Sequence, residues 1–346
     1  MKRALVLAGG GARGSYQVGM LQELVLNKGL DFNIIRGVSV GALNASLLAQ
    51  ARVSGGSNEL GIKVEALYKL WSDIKGNQDI YSDRGGFPAL VAGADSLYSL
   101  EPLRRLINQN VSLKDLRTSG RDFAVGTVSL VSGYYQEWTP KDKDFINKLI
   151  ASASIPVVFP YVGIKSGKDI LVDGGVRNIT PLSSAFAAEP DEIYILLTSR
   201  LISKDTELPD SGVQKNSYAK WTDNWLGTKV SGFDVLKRTL DILTDEVYLD
   251  DIRGALHWNK VAGSIMALKK ASEKEKLPAA LNKKIKHLLK TLKDVKKRPV
   301  AIYVIAPQEW FGEENKSTEF SPELIKRAIK HGKAIAADKN QWVLKS

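Results

Sequence analysis

Short apolar runs of β type alternating with helical patterns predict an α/β domain with a mostly parallel central sheet. Two runs near the N-terminus, Arg3 to Ala8 and Asn33 to Val38, each leave through a glycine-bearing turn into a helical pattern. A third run, Pro299 to Ala306, restores a strand pattern after a long helical stretch.

In chain order, Arg3 to Ala8 is the first strand. A helix follows over about Ser15 to Asn27, where Val18, Leu21, Val25 and Leu26 recur at helical spacing. The strand Asn33 to Val38 passes through Gly37-Val38-Ser39-Val40-Gly41 into a helix over Ala42 to Arg52. Glu59 to Ile74 reads as an amphipathic helix, and Asp79 to Ser99 as a mobile cover rich in glycine and aromatic residues. Within that cover Phe87, Leu90, Val91, Leu97 and Tyr98 are candidates to line an apolar channel. Glu101 to Gln109 is a short helix with Pro102 in its first turn, where a missing N–H costs little. Phe123 to Ser129 and Gly133 to Thr139 form neighbouring strands, Lys143 to Ser154 a helix, and Ile170 to Val172 and Glu192 to Thr198 further strands. Ser217 to Lys297 is mostly helical, and a last helix spans about Pro322 to Lys339. The expected organisation is an α/β core over 1–200, a basic helical elaboration over 201–298, and a final strand and helix over 299–346 that pack back on the core.

Composition bounds the chemistry. The chain has no cysteine, which excludes disulfides, thiolate metal sites and a cysteine nucleophile. No apolar run is long enough for a signal peptide or a membrane span, so a cytoplasmic location, peripheral to membrane at most, is the default expectation. Forty-nine Lys and Arg against 38 Asp and Glu give a net charge of +11, which favours anionic partners such as phospholipid headgroups or nucleic acid. Lysines 283, 284, 286, 290, 293, 296 and 297 interleave with Ile285, Leu288, Leu289 and Leu292, a pattern shared by basic membrane-surface helices and by ordinary solvated helix faces. Trp221 and Trp225, four apart, add an aromatic edge.

Three segments carry the candidate chemistry. Gly37-Val-Ser39-Val-Gly41 has the G-x-S-x-G form of a nucleophile elbow, in the required strand–turn–helix context. A sharp turn lifts Ser39 Oγ out of the sheet, and Gly37 and Gly41 let the flanking backbones approach. Gly9-Gly10-Gly11-Ala12-Arg13-Gly14 leaves backbone amides uncovered, as an oxyanion hole requires, with Arg13 as a fixed positive charge. The same segment satisfies G-x-G-x-x-G, but a dinucleotide fingerprint expects an acidic residue closing the second strand. Here that strand closes at Val38-Ser39, and Asp31 lies at its wrong end. Asp173-Gly174-Gly175 ends an apolar strand and puts a carboxylate beside a tight turn, as a general base requires; an ordinary Asp-Gly turn has the same appearance. The chain's histidines, His257, His287 and His331, lie in the helical elaboration and the last helix, which points to Ser39 and Asp173 acting without an imidazole. No zinc-ligand spacing or phosphate loop is present, and neither a metal nor another cofactor is expected.

In order and approximate spacing these three segments resemble the patatin-like phospholipase family, and Ser152 to Pro160 (Ser-Ala-Ser-Ile-Pro-Val-Val-Phe-Pro) resembles the block preceding that family's catalytic Asp. The likeness covers roughly residues 3–200; Ala8 stands where the family often has Asp before its triple glycine. It implies a three-layer α/β/α fold, cleavage of fatty acyl esters from lipids by a Ser39–Asp173 dyad, an oxyanion hole at Gly9 to Gly14, and no metal in the chemical step. Acyl transfer or thioester cleavage would use the same acyl-enzyme. A membrane- or nucleic-acid-binding module without catalysis would leave the coincidence of the three segments unexplained, so nucleic acid is the weaker partner expectation.

Overall fold

The computed structural model describes residues 1–164, 168–200, 232–274, 278–291, 299–308, 317–342 and 344–345. Its strands are β1 (Arg3–Leu7), β2 (Ile34–Val38), β3 (Ser82–Asp83), β4 (Tyr98–Ser99), β5 (Asp122–Ser129), β6 (Tyr135–Trp138), β7 (Val162–Ile164), β8 (Asp169–Asp173), β9 (Glu192–Leu196), β10 (Ala301–Ile305) and β11 (Leu344–Lys345). Among the described residues, nine of them form one sheet in the order β11-β10-β9-β1-β2-β5-β8-β7, with β6 on β5; β3 and β4 pair apart. The centre, β10-β9-β1-β2-β5, is parallel. The remaining strands of the sheet join antiparallel.

Alternate side chains of one strand serve opposite faces, and β1 shows it directly. Leu5 and Leu7 pack with Ile35, Tyr194 and Ile305, whereas Ala4, Val6 and Ala8 pack with Ile193, Ile195, Ile302 and Val304. Both faces are therefore buried, as a parallel sheet requires. Helices Gly14–Leu21, Val40–Leu48, Gly56–Asp73 and Pro322–Ala337 supply the core of the first face. Helix Leu182–Ala187 and, through Ile252 and Ala255, the long helix Gly232–Lys274 cover the second. The result is a mixed α/β fold of three layers, with the late strand β10 running parallel beside β9.

The departures from expectation are local. The helix beginning near Ser15 widens into a π-helical stretch over Gln22–Asn27. Residues 79–99 hold the β3–β4 pair and helix Gly86–Val91. Short elements that no periodicity window resolves, helices Leu113–Thr118 and Leu182–Ala187 and strands β7 and β11, were not predicted. Of the helical stretch expected over Ser217 to Lys297, the described parts are Gly232–Lys274 and Ala279–Thr291; Trp221, Trp225, Leu292, Lys293, Lys296 and Lys297 lie outside the described residues. No helix among the described residues is long and apolar enough to cross a membrane.

Strand β5 determines what meets at the carboxyl end of β2. Its residues 122–126 pair with β2, 127–129 with β8, and 125–128 with β6. A strand has two edges, and β6 overlaps both other partners, so β2 and β8 share the edge opposite β6. They lie end to end, with Val38 opposite Gly126 and Asp173 opposite Thr127. Ser39 leaves β2 at the point where β8 ends in Asp173.

Candidate active site

Ser39 sits at φ 55°, ψ −132°, a conformation that a non-glycine residue adopts only when its surroundings force it. The forcing is backbone packing. A Cβ on Gly41 would collide with the carbonyls of Leu7 and Ala8, and one on Gly37 would press on the backbone of Gly41 and Ala42. The helix Val40–Leu48 thus rests on the sheet with no side chain between, and the turn into it must be sharp. Ala42 and Leu43 donate to the Ser39 carbonyl at 2.9 and 3.2 Å, so the helix opens on the serine. Its N-terminal amides bring partial positive charge to Ser39.

Asp173 is buried, and its Oδ1 accepts the Gly175 amide at 2.7 Å. The Ser39 hydroxyl lies close enough to the carboxyl to favour its ionised form, and Oδ2 is buried without a hydrogen-bond partner among the described residues. Burial pushes the carboxyl up to about 7, against the Ser39 hydroxyl and the Gly175 amide, which both lower it. Gly174 permits the turn because a Cβ there would lie 2.6 Å from the Gly126 carbonyl.

The glycine loop leaves β1 where the chain order reverses, β2 lying on one side of β1 and β9 on the other, a position where open α/β sheets place ligands. A Cβ on Gly9 would sit 3.0 Å from Ser39 Cβ, so loop and serine touch. Gly10 is at φ 148°, and a Cβ there would collide with Thr198. Four of the loop's amides are already committed: Gly9 donates to the Ile179 carbonyl at 3.2 Å, Ala12 to the Ser317 carbonyl at 2.6 Å, Arg13 to the Gly10 carbonyl at 3.2 Å, and Gly14 to the Gly11 carbonyl. No acceptor for the Gly10 or Gly11 amide is found among the described residues, which narrows the expected anion-facing donors to these two. Buried Arg13 donates to Ser199 Oγ at 2.7 Å, tying the loop to the segment after β9.

An apolar cavity of about 970 Å³, part of it continuous with solvent, opens at Ser39 and Gly11. Leu43, Leu47, Leu67, Trp71, Leu103 and Ile107 line it, and Phe320 and Thr318 close it from the C-terminal side. Phe87, Leu90, Val91, Leu97 and Tyr98 do not line it. Phe87 and Val91 face outward at 66% and 75% exposure, because their short helix stands off the core instead of over the cavity.

Residues that no motif flagged hold this site. Buried Gln17 donates to the carbonyls of Ala8 (2.9 Å) and Leu196 (3.0 Å). Asn44 donates to the Gly14 carbonyl and Gln17 Oε1, and accepts the Trp71 indole N–H. Polar residues inside otherwise apolar helix patterns were the available signal. Of the histidines, His331 accepts the Gln308 amide and meets Tyr16 edge-on, while His257 and His287 lie exposed on their helices; none lines the cavity.

A buried serine in a strained strand–turn–helix elbow, beside a buried carboxyl and at the mouth of an apolar cavity, has the form of a nucleophile elbow. The family model for patatin-like phospholipases matches residues 5–186, more than half of the chain, and the chain belongs to that family. No curated protein matches it. Among solved structures it is similar to VipD from Legionella pneumophila, at 14% identity and a TM-score of 0.40, over 98% of this chain and 66% of that one. It is also similar to the type III effector protein ExoU, at 15% identity and a TM-score of 0.25, over 86% of this chain and 69% of that one.

Proposed function

We propose that the chain is a lipid acyl hydrolase of phospholipase A or carboxylesterase type, acting through Ser39 and Asp173. The observation that carries this reading is the contact of Ser39 with an Asp173 carboxyl held near neutrality, at the mouth of an apolar cavity. Ser39 Oγ attacks the ester carbonyl while Asp173 Oδ2 takes its proton. The oxyanion is received by the Gly10 and Gly11 amides, with Arg13 holding the loop. Collapse expels the lysolipid or alcohol, which takes the proton from Asp173. Water activated by the same carboxylate then releases the fatty acid and restores Ser39. A base near pH 7 suits this exchange better than an ordinary carboxylate, since it both accepts and returns the proton.

The acyl chain occupies the cavity, and the exposed Lys283, Lys284 and Lys286 offer a basic face to an anionic bilayer. The direct test pairs labelling by a fluorophosphonate probe with fatty-acid release from mixed phospholipid vesicles. Absence of both from the folded protein would refute the reading. Supplying an alcohol acceptor beside water separates hydrolysis from acyl transfer.

Two outcomes are expected of the wild-type site. Asp173 must be ionised to act, so kcat/KM should rise with pH through an apparent pKa near 7 and level off above it. Asp251 is also pushed up to about 7 by burial, and its carboxylate accepts the Thr180 amide at 2.9 Å. The limb should therefore persist in Asp251→Asn; a flat profile from pH 5 to 8 would exclude Asp173 as the base. Narrowing the cavity with Leu103→Phe should favour short acyl chains. Each methylene excluded costs about 0.8 kcal/mol, so the ratio of short- to long-chain ester turnover should rise by roughly tenfold or more. An unchanged chain-length profile in the folded variant would place the acyl chain elsewhere.

A further inference from the structure

The family-like block that begins at Ser152 has no part in the proton transfers above, yet it touches both residues that do. Ser152 closes the helix Phe145–Ser152 and is fully buried. Its Oγ accepts the Ser39 amide at 3.0 Å and donates to the Gly126 carbonyl at 2.6 Å. A serine hydroxyl has one proton; with that proton directed at Gly126, its lone pairs are left for Ser39. Two residues later, the Ser154 carbonyl accepts the Asp173 amide at 2.9 Å. Gly126 is the β5 residue opposite Val38, next to the one opposite Asp173. One short segment therefore grips the backbone of the serine and of the carboxylate, and anchors both at their meeting point on β5.

We infer that Ser152 is a positioning residue for the nucleophile: its hydroxyl holds Ser39 in the strained elbow, and the Ser152–Ser154 span sets the separation of Ser39 from Asp173. This rests on the reading of Ser39 and Asp173 as the reacting pair. Without the hydroxyl, the Ser39 amide is a buried donor with no acceptor, and the elbow is free to relax toward an ordinary conformation. Misplacement by about 1 Å costs on the order of a hundredfold in rate, whereas ground-state binding of the acyl chain lies in a cavity that Ser152 does not line.

The test compares wild type, Ser152→Ala and Ser152→Thr by fluorophosphonate labelling rate, by kcat and KM on a p-nitrophenyl ester, and by hydrogen exchange of the Ser39 amide. Expected for Ser152→Ala are falls of about 10- to 100-fold in labelling rate and kcat, KM within about twofold, and faster exchange at Ser39. Ser152→Thr, which keeps the hydroxyl, should recover much of the rate. If Ser152→Ala does not fold, Ser152→Cys, close in size but a weak acceptor, makes the same comparison. Wild-type labelling by folded Ser152→Ala overturns the inference, as does a loss of rate with Ser39 exchange unchanged. The exchange readout needs no turnover. Full labelling of Ser39→Ala would refute Ser39 as the nucleophile while leaving the contact between Ser152 and the backbone of residue 39 measurable.

Discussion

Ser39→Ala is expected to lower ester turnover by about four to six orders of magnitude and to remove fluorophosphonate labelling altogether. Its fold should persist, because the Ser39 backbone, and not its hydroxyl, makes these contacts: its amide donates to Ser152 and its carbonyl accepts from the following helix. Asp173→Asn should lose turnover to a comparable degree and move stability the other way. The native carboxyl is raised from 3.8 to about 7, so the folded chain binds more protons than the unfolded chain between those values. Its contribution to stability is intact below pH 4 and is lost as pH rises through 7. At pH 8 the ionised, buried carboxylate is a burden that a neutral amide relieves. Asn Oδ1 can still accept the Gly175 amide. A gain of about 1–2 kcal/mol at pH 8, vanishing near pH 4, should therefore accompany the loss of activity. Thermal melts at the two pH values check this; a variant less stable than wild type at pH 8 would show that the carboxylate has a compensating partner.

Gly10→Ala is the second large effect. Its added methyl would collide with Thr198, whose hydroxyl bonds the Gly9 carbonyl, in a backbone conformation that favours glycine. Relief requires moving the loop whose Gly10 and Gly11 amides have no acceptor among the described residues. Loss of one oxyanion donor costs roughly a hundred- to a thousandfold in kcat. Gly29→Ala is the matched control, since Gly29 has φ 65° with open space around it, far from Ser39 in the first layer's helix connection. Both variants should lose stability, and only Gly10→Ala should lose kcat in the folded fraction. Equal kcat in the two would remove the glycine loop from the mechanism.

Much of this was legible in the residues. The β1 and β2 runs, the elbow and the glycine loop are local patterns, and each element lies where its periodicity puts it. The proposed pairing of Ser39 with Asp173 was read from the placement of the histidines and from family resemblance, because no spacing in one chain reveals that β8 runs antiparallel to β5 and abuts β2. The donors of the loop were over-counted for a related reason. That Ile179 and Ser317 occupy the Gly9 and Ala12 amides is a tertiary fact, carried by segments distant in sequence. The cavity wall was misplaced to the aromatic cover at 79–99 because glycine and aromatic content suggest mobility and apolarity but not direction. The wall is built by residues such as Leu103 and Ile107, whose pattern is that of any amphipathic helix facing a core.

The end-to-end arrangement of β2 and β8 along one edge of β5 works as a ruler. Ser39 and Asp173 are far apart along the chain, yet their separation is measured by two adjacent residues, Gly126 and Thr127, with Ser152 and Ser154 gripping both backbones, and not by the exposed loops between them. The other segments between them, the exposed cover among them, are thus at liberty to lengthen, shorten or change character without altering the distance over which a proton must pass. Divergence in what the protein acts upon and conservation of how it acts are separable in such a fold, since the two are written in different parts of the chain.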